Sequence, residues 1–477
     1  MEFTHKVIST KEKALSINLD QHIYGSFAEI GAGQDTASQF FKAGGASGTI
    51  AKTMSAYDMA FSDAIYGPEE SGRYVCQPRL QKMLDKEYSL LDLRLPERAP
   101  QTKFFAFANT VEALNFRRTN QGRGWLGVKF QLRPQTEPNT CIIHVELKDN
   151  DPVVQQTTLG IMGVNLLYAC FYHADNPENL MNSLFDEMNI HKVEIDFFEL
   201  VGPDFREVDN RLYSLKLVKN GLSKATTFGP NGKVYMPGDL LYKKNILVSR
   251  GRFRPVTMVN LDMMRKAHRV FVQEPEVEAE NVLEVAELTL SNLFLHDQGE
   301  IDEADFLDRV DLLCSLGKTV LISNYQEYFR LIGYLTRFTR KKMLGINMGI
   351  MNLESVFDER YYENLRGGIL EAFGTLLGAN TKIYVYPSFK PGTNKMHTTA
   401  TVQLPMHMQS LFNYFVENEK IIQLRGVDTK YFHIISDEVL AAIRRDDAAW
   451  EEMVPQEVAD EIKNKALFGY RSIVAEV

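Results

Sequence analysis

The stretch LVSRGRFRPVTMVNLD, residues 247–262, decides how this chain is read. An apolar run that begins at Asn245 enters a loop holding Arg250, Gly251, Arg252 and Arg254. After Pro255 the residues take up helical spacing, with a start expected near Asn260. A strand that passes through a basic glycine loop into a helix N-terminus is suited to an anion. The first-turn N–H groups lack intrahelical partners, the helix dipole favours negative charge, and arginine can grip phosphate through two parallel bonds. Ligands of open α/β sheets bind at the carboxyl ends of strands, and this loop is expected at one.

Outward from that loop, the apolar runs NILVSRGRF, KTVLISNY, KMLGINMG and TKIYVYPS alternate with amphipathic segments such as EYFRLIGYLTRF and ENLRGGILEAFGTLLG. Strand alternating with helix predicts a mostly parallel, Rossmann-like sheet with helices on both faces over residues 241–400. Before it, WLGVKFQL, CIIHVELK and KVEIDFFELV read as strands of an α/β middle domain, 101–240, with the apolar helix TLGIMGVNLLYACFY among them. The proline-bearing LPERAPQT closes a glycine-rich, mainly helical N-terminal segment, 1–100. Residues 401–477 read as a C-terminal helical extension. The expected fold class is therefore multidomain α/β.

Composition excludes several classes. At 477 residues, 44% hydrophobic and 24% charged, the chain can bury cores without disulfides or metal. A net charge of −9, from 62 acids and 53 bases, argues against whole-surface attraction to nucleic acid or anionic membrane. Cys76, Cys141, Cys170 and Cys314 form no CxxC pair, so zinc and dithiol spacings fail and reduced core thiols are expected. The charged N-terminus has no apolar signal-peptide core. The apolar run at 158–172 is about fifteen residues, short of the roughly twenty that span a bilayer. A cytoplasmic location is the expectation.

The GRFRP loop resembles the Gly-Arg-Phe-x-Pro loop after the first strand in some nicotinamide and nicotinate mononucleotide adenylyltransferases. FAEIGAGQ, AGGASGTIAKTMSAYDM and FSDAIYG are similar to a bacterial family labelled nicotinate-nucleotide adenylyltransferase. The resemblance implies adenylyl transfer in NAD biosynthesis, with Arg250, Gly251, Arg252 and Arg254 on phosphate, Thr257 and Asn260 where the catalytic pair stands, and magnesium arriving with a nucleoside triphosphate. The departures are specific. The signature (His/Thr)-x-Gly-His is here Thr257, Met258, Val259, Asn260, and asparagine brings no positive charge to a phosphoryl transition state. The second signature survives as Ile322 and Ser323, with Arg330 displaced. Binding of a nucleotide or phosphometabolite without transfer, and a noncatalytic homo-oligomeric scaffold or regulator on an enzyme-like fold, stay open beside catalysis.

Four other segments carry candidate chemistry. AEIGAGQDTASQFF offers Gly31 and Gly33 as a methyltransferase-like cofactor loop, against a tight turn before a helix. AGGASGTIAKT sets Gly44, Gly45 and Gly48 before Lys52 and Thr53, for a phosphate, for close packing or for a subunit interface. In NFRRTNQGRGWLGVKFQ, Arg117, Arg118 and Arg123 beside Trp125 make a basic patch that holds phosphate and stacks a base, or a hairpin with its arginines in solvent. His144, Glu146, Asp149 and Asp151 fit a divalent cation or an acidic turn, and no metal ligand is assigned. His191, His268 and His397 are scattered. The acid-rich run at 296–313 reads as a helix start with Leu307, Val310 and Leu313 on its apolar face.

Overall fold

Two compact units, residues 1–224 and 225–477, divide the chain in the computed structural model, which describes residues 6–70, 72–294, 300–378 and 380–471. The elements of the first unit are α1 (Thr10–Leu19), β1 (Ile23–Gly31), α2 (Thr36–Ala43), β2 (Ile50–Ala56), α3 (Met59–Tyr66), α4 (Gln77–Arg94), β3 (Lys103–Glu112), β4 (Gly122–Phe130), β5 (Asn139–Leu147), α5 (Pro152–Tyr172), α6 (Pro177–Ser183), β6 (Val193–Val201) and α7 (Asn210–Lys219). One sheet in the order β2-β1-β3-β4-β5-β6 joins them; β1 runs parallel to β2 and β3, and the rest is antiparallel.

Strand β3 shows why this sheet is covered on both faces. Its sequence KFFAFANTVE is apolar at odd and even positions alike, and alternate side chains leave a strand in opposite directions. Phe105 and Phe107 enter the core formed with α1, α2, α5, α6 and α7, whereas Phe104 and Ala106 meet Tyr88 and Leu91 of α4. Helix α5 admits α2 at close range because Gly160 and Gly163 leave room: a Cβ there would lie 2.2 Å from Asp35 Oδ2 and 2.3 Å from Thr36 Oγ1.

The second unit comprises β7 (Ala225–Phe228), β8 (Val234–Tyr235), α8 (Pro237–Leu241), β9 (Asn245–Arg250), α9 (Met258–Phe271), β10 (Val282–Thr289), α10 (Glu303–Ser315), β11 (Thr319–Ser323), α11 (Tyr328–Thr339), β12 (Leu344–Gly349), α12 (Ile350–Val356), α13 (Gly368–Leu376), β13 (Thr381–Tyr386), the pair β14 (Ser388–Phe389) and β15 (Met396–His397), α14 (Met406–Glu417), β16 (Ile421–Gln423), α15 (Ser436–Arg444) and α16 (Gln456–Lys465). Its main sheet is ordered β16-β13-β12-β9-β10-β11-β7-β8. From β16 to β11 all neighbours are parallel, and β7 joins β11 antiparallel. Taken in chain order, the six parallel strands lie 3-2-1-4-5-6, the doubly wound arrangement of dinucleotide-binding folds, with its reversal between β9 and β12. Helix α9 packs on one face through Ala267 and Phe271 against Leu247 and Tyr384, while α11 to α14 cover Ile246 and Val248 on the other.

The α/β, Rossmann-like multidomain reading agrees with this architecture. Two local expectations are corrected. The N-terminal segment contributes β1 and β2 as well as helices, and β3 pairs with β1, so the sheet runs through the boundary expected near residue 100. The C-terminal region is not purely helical, since β16 adds an edge strand beside β13. In the acid-rich run, His296–Gly299 lie outside the described residues; the helix begins at Glu303, capped by Asp302, and buries Phe306, Val310 and Leu313. No helix among the described residues is long and apolar enough to cross a membrane.

The first unit also buries a cation. Lys13 has no solvent exposure, and its Nζ meets Asp186 at 2.8 Å, Asn165 Oδ1 at 2.9 Å and the Ser183 carbonyl at 2.7 Å. Removing one partner strands the other charge without water, so Lys13→Ala should cost about 3–5 kcal/mol in chemical denaturation. Lys13→Met, which keeps the volume but leaves Asp186 unpaired, should recover little of that loss.

Candidate functional site

The basic loop leaves β9 at the reversal of strand order, where the sheet opens toward solvent. Arg250, the last residue of β9, does not reach into solvent. Its Nε donates to Glu287 Oε2 at 2.6 Å, and its two terminal nitrogens donate to the Gln326 and Tyr325 carbonyls at 2.6 and 2.7 Å. The guanidinium also lies over the Tyr328 ring, 4.5 Å from its centroid. Glu287 in β10 is fully buried and takes further bonds from Ser323 Oγ at 2.6 Å and Thr289 Oγ1 at 3.1 Å. Arg250 and Ser323 thus satisfy an internal carboxylate and tie together the ends of β9, β10 and β11.

The rest of the loop divides its labour. Gly251 is needed because the buried Phe253 ring comes beneath it, where a Cβ would sit 2.9 Å from Phe253 Cζ. Arg254 Nε bonds Asp305 at 2.5 Å, and Arg309 pairs with the same carboxylate from within α10. Arg252 differs: its side chain is 51% exposed, and its partner, Asp437 at the start of α15, is 63% exposed at 3.1 Å. Such a bridge is worth about 0–1 kcal/mol in water and yields readily to a better anion.

Thr257 and Asn260 form a capping box. The Thr257 side chain accepts from the Asn260 backbone N–H, and the Asn260 amide oxygen accepts from the Thr257 N–H at 3.0 Å and its hydroxyl at 3.0 Å. The pair closes the N-terminus of α9 from within, so it takes up the Thr257 and Asn260 N–H groups that a phosphate would otherwise use.

A cavity of about 690 Å³ lies over these strand ends. The end of β9 and the loop after it give Arg250, Gly251 and Arg252; β10 and the turn after it give Thr289, Ser291 and Asn292; the entry to α11 gives Gln326, Glu327 and Tyr328; α12 gives Asn352, Ser355 and Val356; and Tyr361 and Tyr362 complete the lining. This size suits a ligand of nucleotide scale. Burial pushes the Tyr328 phenol up to about 12, so it stays protonated at neutral pH. Of the expected residues in this unit, Arg250, Gly251 and Arg252 line the cavity, whereas Arg254, Thr257, Asn260 and Ser323 stand outside the lining. Sequence reasoning missed the tyrosines, Asn292 and Asn352. They follow three different strands, β10, β11 and β12, and no local pattern marks them.

The first-unit candidates resolve differently. Arg117 and Arg118 are exposed, and Arg123 pairs with Glu112 at 3.3 Å. Trp125 is buried against His144 and Phe197, so its ring is not offered to a base. His144 is held by Asp196 at 2.5 Å, Asp149 by Lys192 at 2.7 Å, and Asp151 caps α5. Among the described residues no group of three metal-ligating side chains forms. At the Gly31–Gly33 loop the anion position is taken by the chain itself. Glu29, buried at the end of β1, accepts from the Thr36 and Ala37 N–H groups at the start of α2 and from Asn109. Burial drives its carboxyl up to about 7 against those stabilising bonds.

No family model and no curated protein matches the chain. Solved structures do. A competence/damage-inducible protein from Agrobacterium tumefaciens aligns over 34% of this chain and 94% of its own, with 16% identity and a TM-score of 0.25. Competence-damaged protein (CinA) superfamily proteins from Klebsiella pneumoniae and Enterobacter cloacae cover 35% and 36% of this chain and 99% and 96% of their own, at 13% and 10% identity, each with a TM-score of 0.26.

Two measurements check these assignments. Thr257→Ala should lower stability by about 1 kcal/mol, the usual value of an N-cap, in urea titration. For Glu29 the folded pKa exceeds the ordinary 4.5, so the folded state holds a proton that the unfolded chain releases. The Glu29 contribution to stability is then greatest below about pH 4.5 and falls as pH rises to about 7, by at most about 3 kcal/mol. Glu29→Gln should flatten that slope.

Proposed function

We propose that the second unit binds a nucleotide or a related phosphorylated metabolite in the cavity at the carboxyl ends of β9 to β12. The observation that carries this reading is the position of that cavity: it opens at the reversal of a doubly wound sheet, where ligands of such sheets bind. Arg252 meets the phosphate by exchanging Asp437 for it, a gain because the bridge it gives up is exposed. Tyr361, 57% exposed, offers a ring face to a base, and the amide and hydroxyl groups of Asn352, Asn292 and Ser291 are available to orient it. A nucleoside triphosphate would bring magnesium on its own phosphates.

Within this reading, binding without transfer is favoured over adenylyl transfer. Thr257 and Asn260 hydrogen-bond each other as a helix cap, and neither lines the cavity. That specific observation supports the second reading, a regulatory protein that senses its ligand on an enzyme-like fold. Methyl transfer has less support, because Glu29 already occupies the helix terminus at the Gly31 loop.

Thermal unfolding with magnesium-ATP, nicotinate mononucleotide and S-adenosylmethionine separates the readings, since a ligand raises the melting temperature of the state it binds. A phosphorylated nucleotide should raise it and S-adenosylmethionine should not. Arg252→Ala should weaken the binding by about 10- to 100-fold, the loss of one charge-assisted bond. If no nucleotide shifts the melt, the binding reading fails. Dinucleotide formed from ATP and the mononucleotide would replace the regulatory reading with catalysis.

A further inference from the structure

At one edge of the first unit lies a surface with its polarity reversed. β2 ends the six-stranded sheet and, among the described residues, pairs only with β1. Ala51, Lys52, Thr53 and Ser55 are exposed along it, and Tyr57, just beyond, is 80% exposed. The next helix, α3, turns Met59, Ala60, Phe61 and Ala64 to solvent. Its polar residues face inward: Ser62 is buried, Asp63 pairs with the buried Arg79 at 2.5 Å, and the Tyr66 hydroxyl donates to Glu87 at 2.9 Å. A helix that hides its polar side and shows its apolar side beside an unpaired strand edge marks an interaction surface.

We infer that this surface pairs with the same surface of a second copy of the chain, β2 against β2 in antiparallel register. An open strand edge selects another strand, through its unpaired N–H and carbonyl groups. The edge of β2 carries few of the usual guards, and its register to β1 shifts once, at Ala51. It contains no proline, and its one charge, Lys52, is drawn back to Glu87 of its own unit at 2.5 Å. The register that pairs the whole strand sets Thr53 opposite Thr53, Lys52 opposite Met54 and Ala51 opposite Ser55, so no like charges meet. The same two-fold axis brings Tyr57 and the start of α3 of one copy beside residues 44–48 of the other. There Gly44 and Gly48 present flat backbone, with nothing within 4 Å of where a Cβ would stand. The contact is reciprocal, as a closed two-fold dimer requires. A paired strand edge alone is small beside the roughly 1,200–2,000 Å² of a specific interface, and Phe41, Tyr57, Met59 and Phe61 at both flanks supply the apolar remainder.

Light scattering on the eluting 477-residue chain at micromolar concentration should give twice the chain mass. The double variant Tyr57→Glu and Phe61→Glu should give the single mass with an unchanged circular dichroism spectrum. Thr53→Cys, treated with copper-phenanthroline, should cross-link to a covalent dimer, whereas Ala51→Cys and the unaltered chain should not, because only position 53 faces itself. A monomeric unaltered chain overturns the proposal. So does a dimer in which Thr53→Cys fails to cross-link, and that result stands even if the double variant does not fold.

Discussion

Glu287 sits at the carboxyl end of a central strand with no access to water, and the carboxyl edge of the second unit's sheet is organised by the need to satisfy it. A buried carboxylate is tolerated only with charge and hydrogen bonds around it. Arg250 comes from β9, Ser323 from β11 and Thr289 from β10 itself. These contacts lock three adjacent strand ends in register with one another. They also fix the first residue of the basic loop, so that Gly251 and Arg252 begin their path over the cavity from a rigid point.

That internal demand explains why a loop rich in arginine presents so little free positive charge. Arg250 answers Glu287 and Arg254 answers Asp305, both carboxylates on neighbouring elements. Only Arg252 holds its partner at the surface, where water weakens the bond. The arrangement resembles a phosphate site in its sequence and a scaffold in most of its contacts. The glycine loop of the first unit repeats the lesson, since Glu29 supplies from within the carboxyl oxygens that the start of α2 would otherwise draw from a ligand.

Much of the fold was legible in the residues. Strands with short, mostly apolar runs, such as β9, β12 and β13, and helices with clear periodicity, such as α11, lie where the pattern puts them. Strand β10 did not declare itself, because Glu284 and Glu287 interrupt VLEVAELT and the partner that permits Glu287 inside lies 37 residues earlier. Strands β1 and β2 were obscured by glycine and alanine, whose weak strand preference is overridden by pairing in the sheet. The capping box was present locally, as Thr257 and Asn260 three residues apart. The likeness to a catalytic signature drew those two residues toward chemistry instead.

By itself, the sequence determined the alternation of strand and helix and the place of a basic turn after β9, because periodicity and glycine are local properties. Tertiary structure alone decided which arginine keeps its charge available, since that depends on carboxylates brought from α10, α15 and β10. It also decided the lining of the cavity and the outward face of α3. Both are set by which elements pack together, and packing joins residues that are neighbours in space and strangers along the chain.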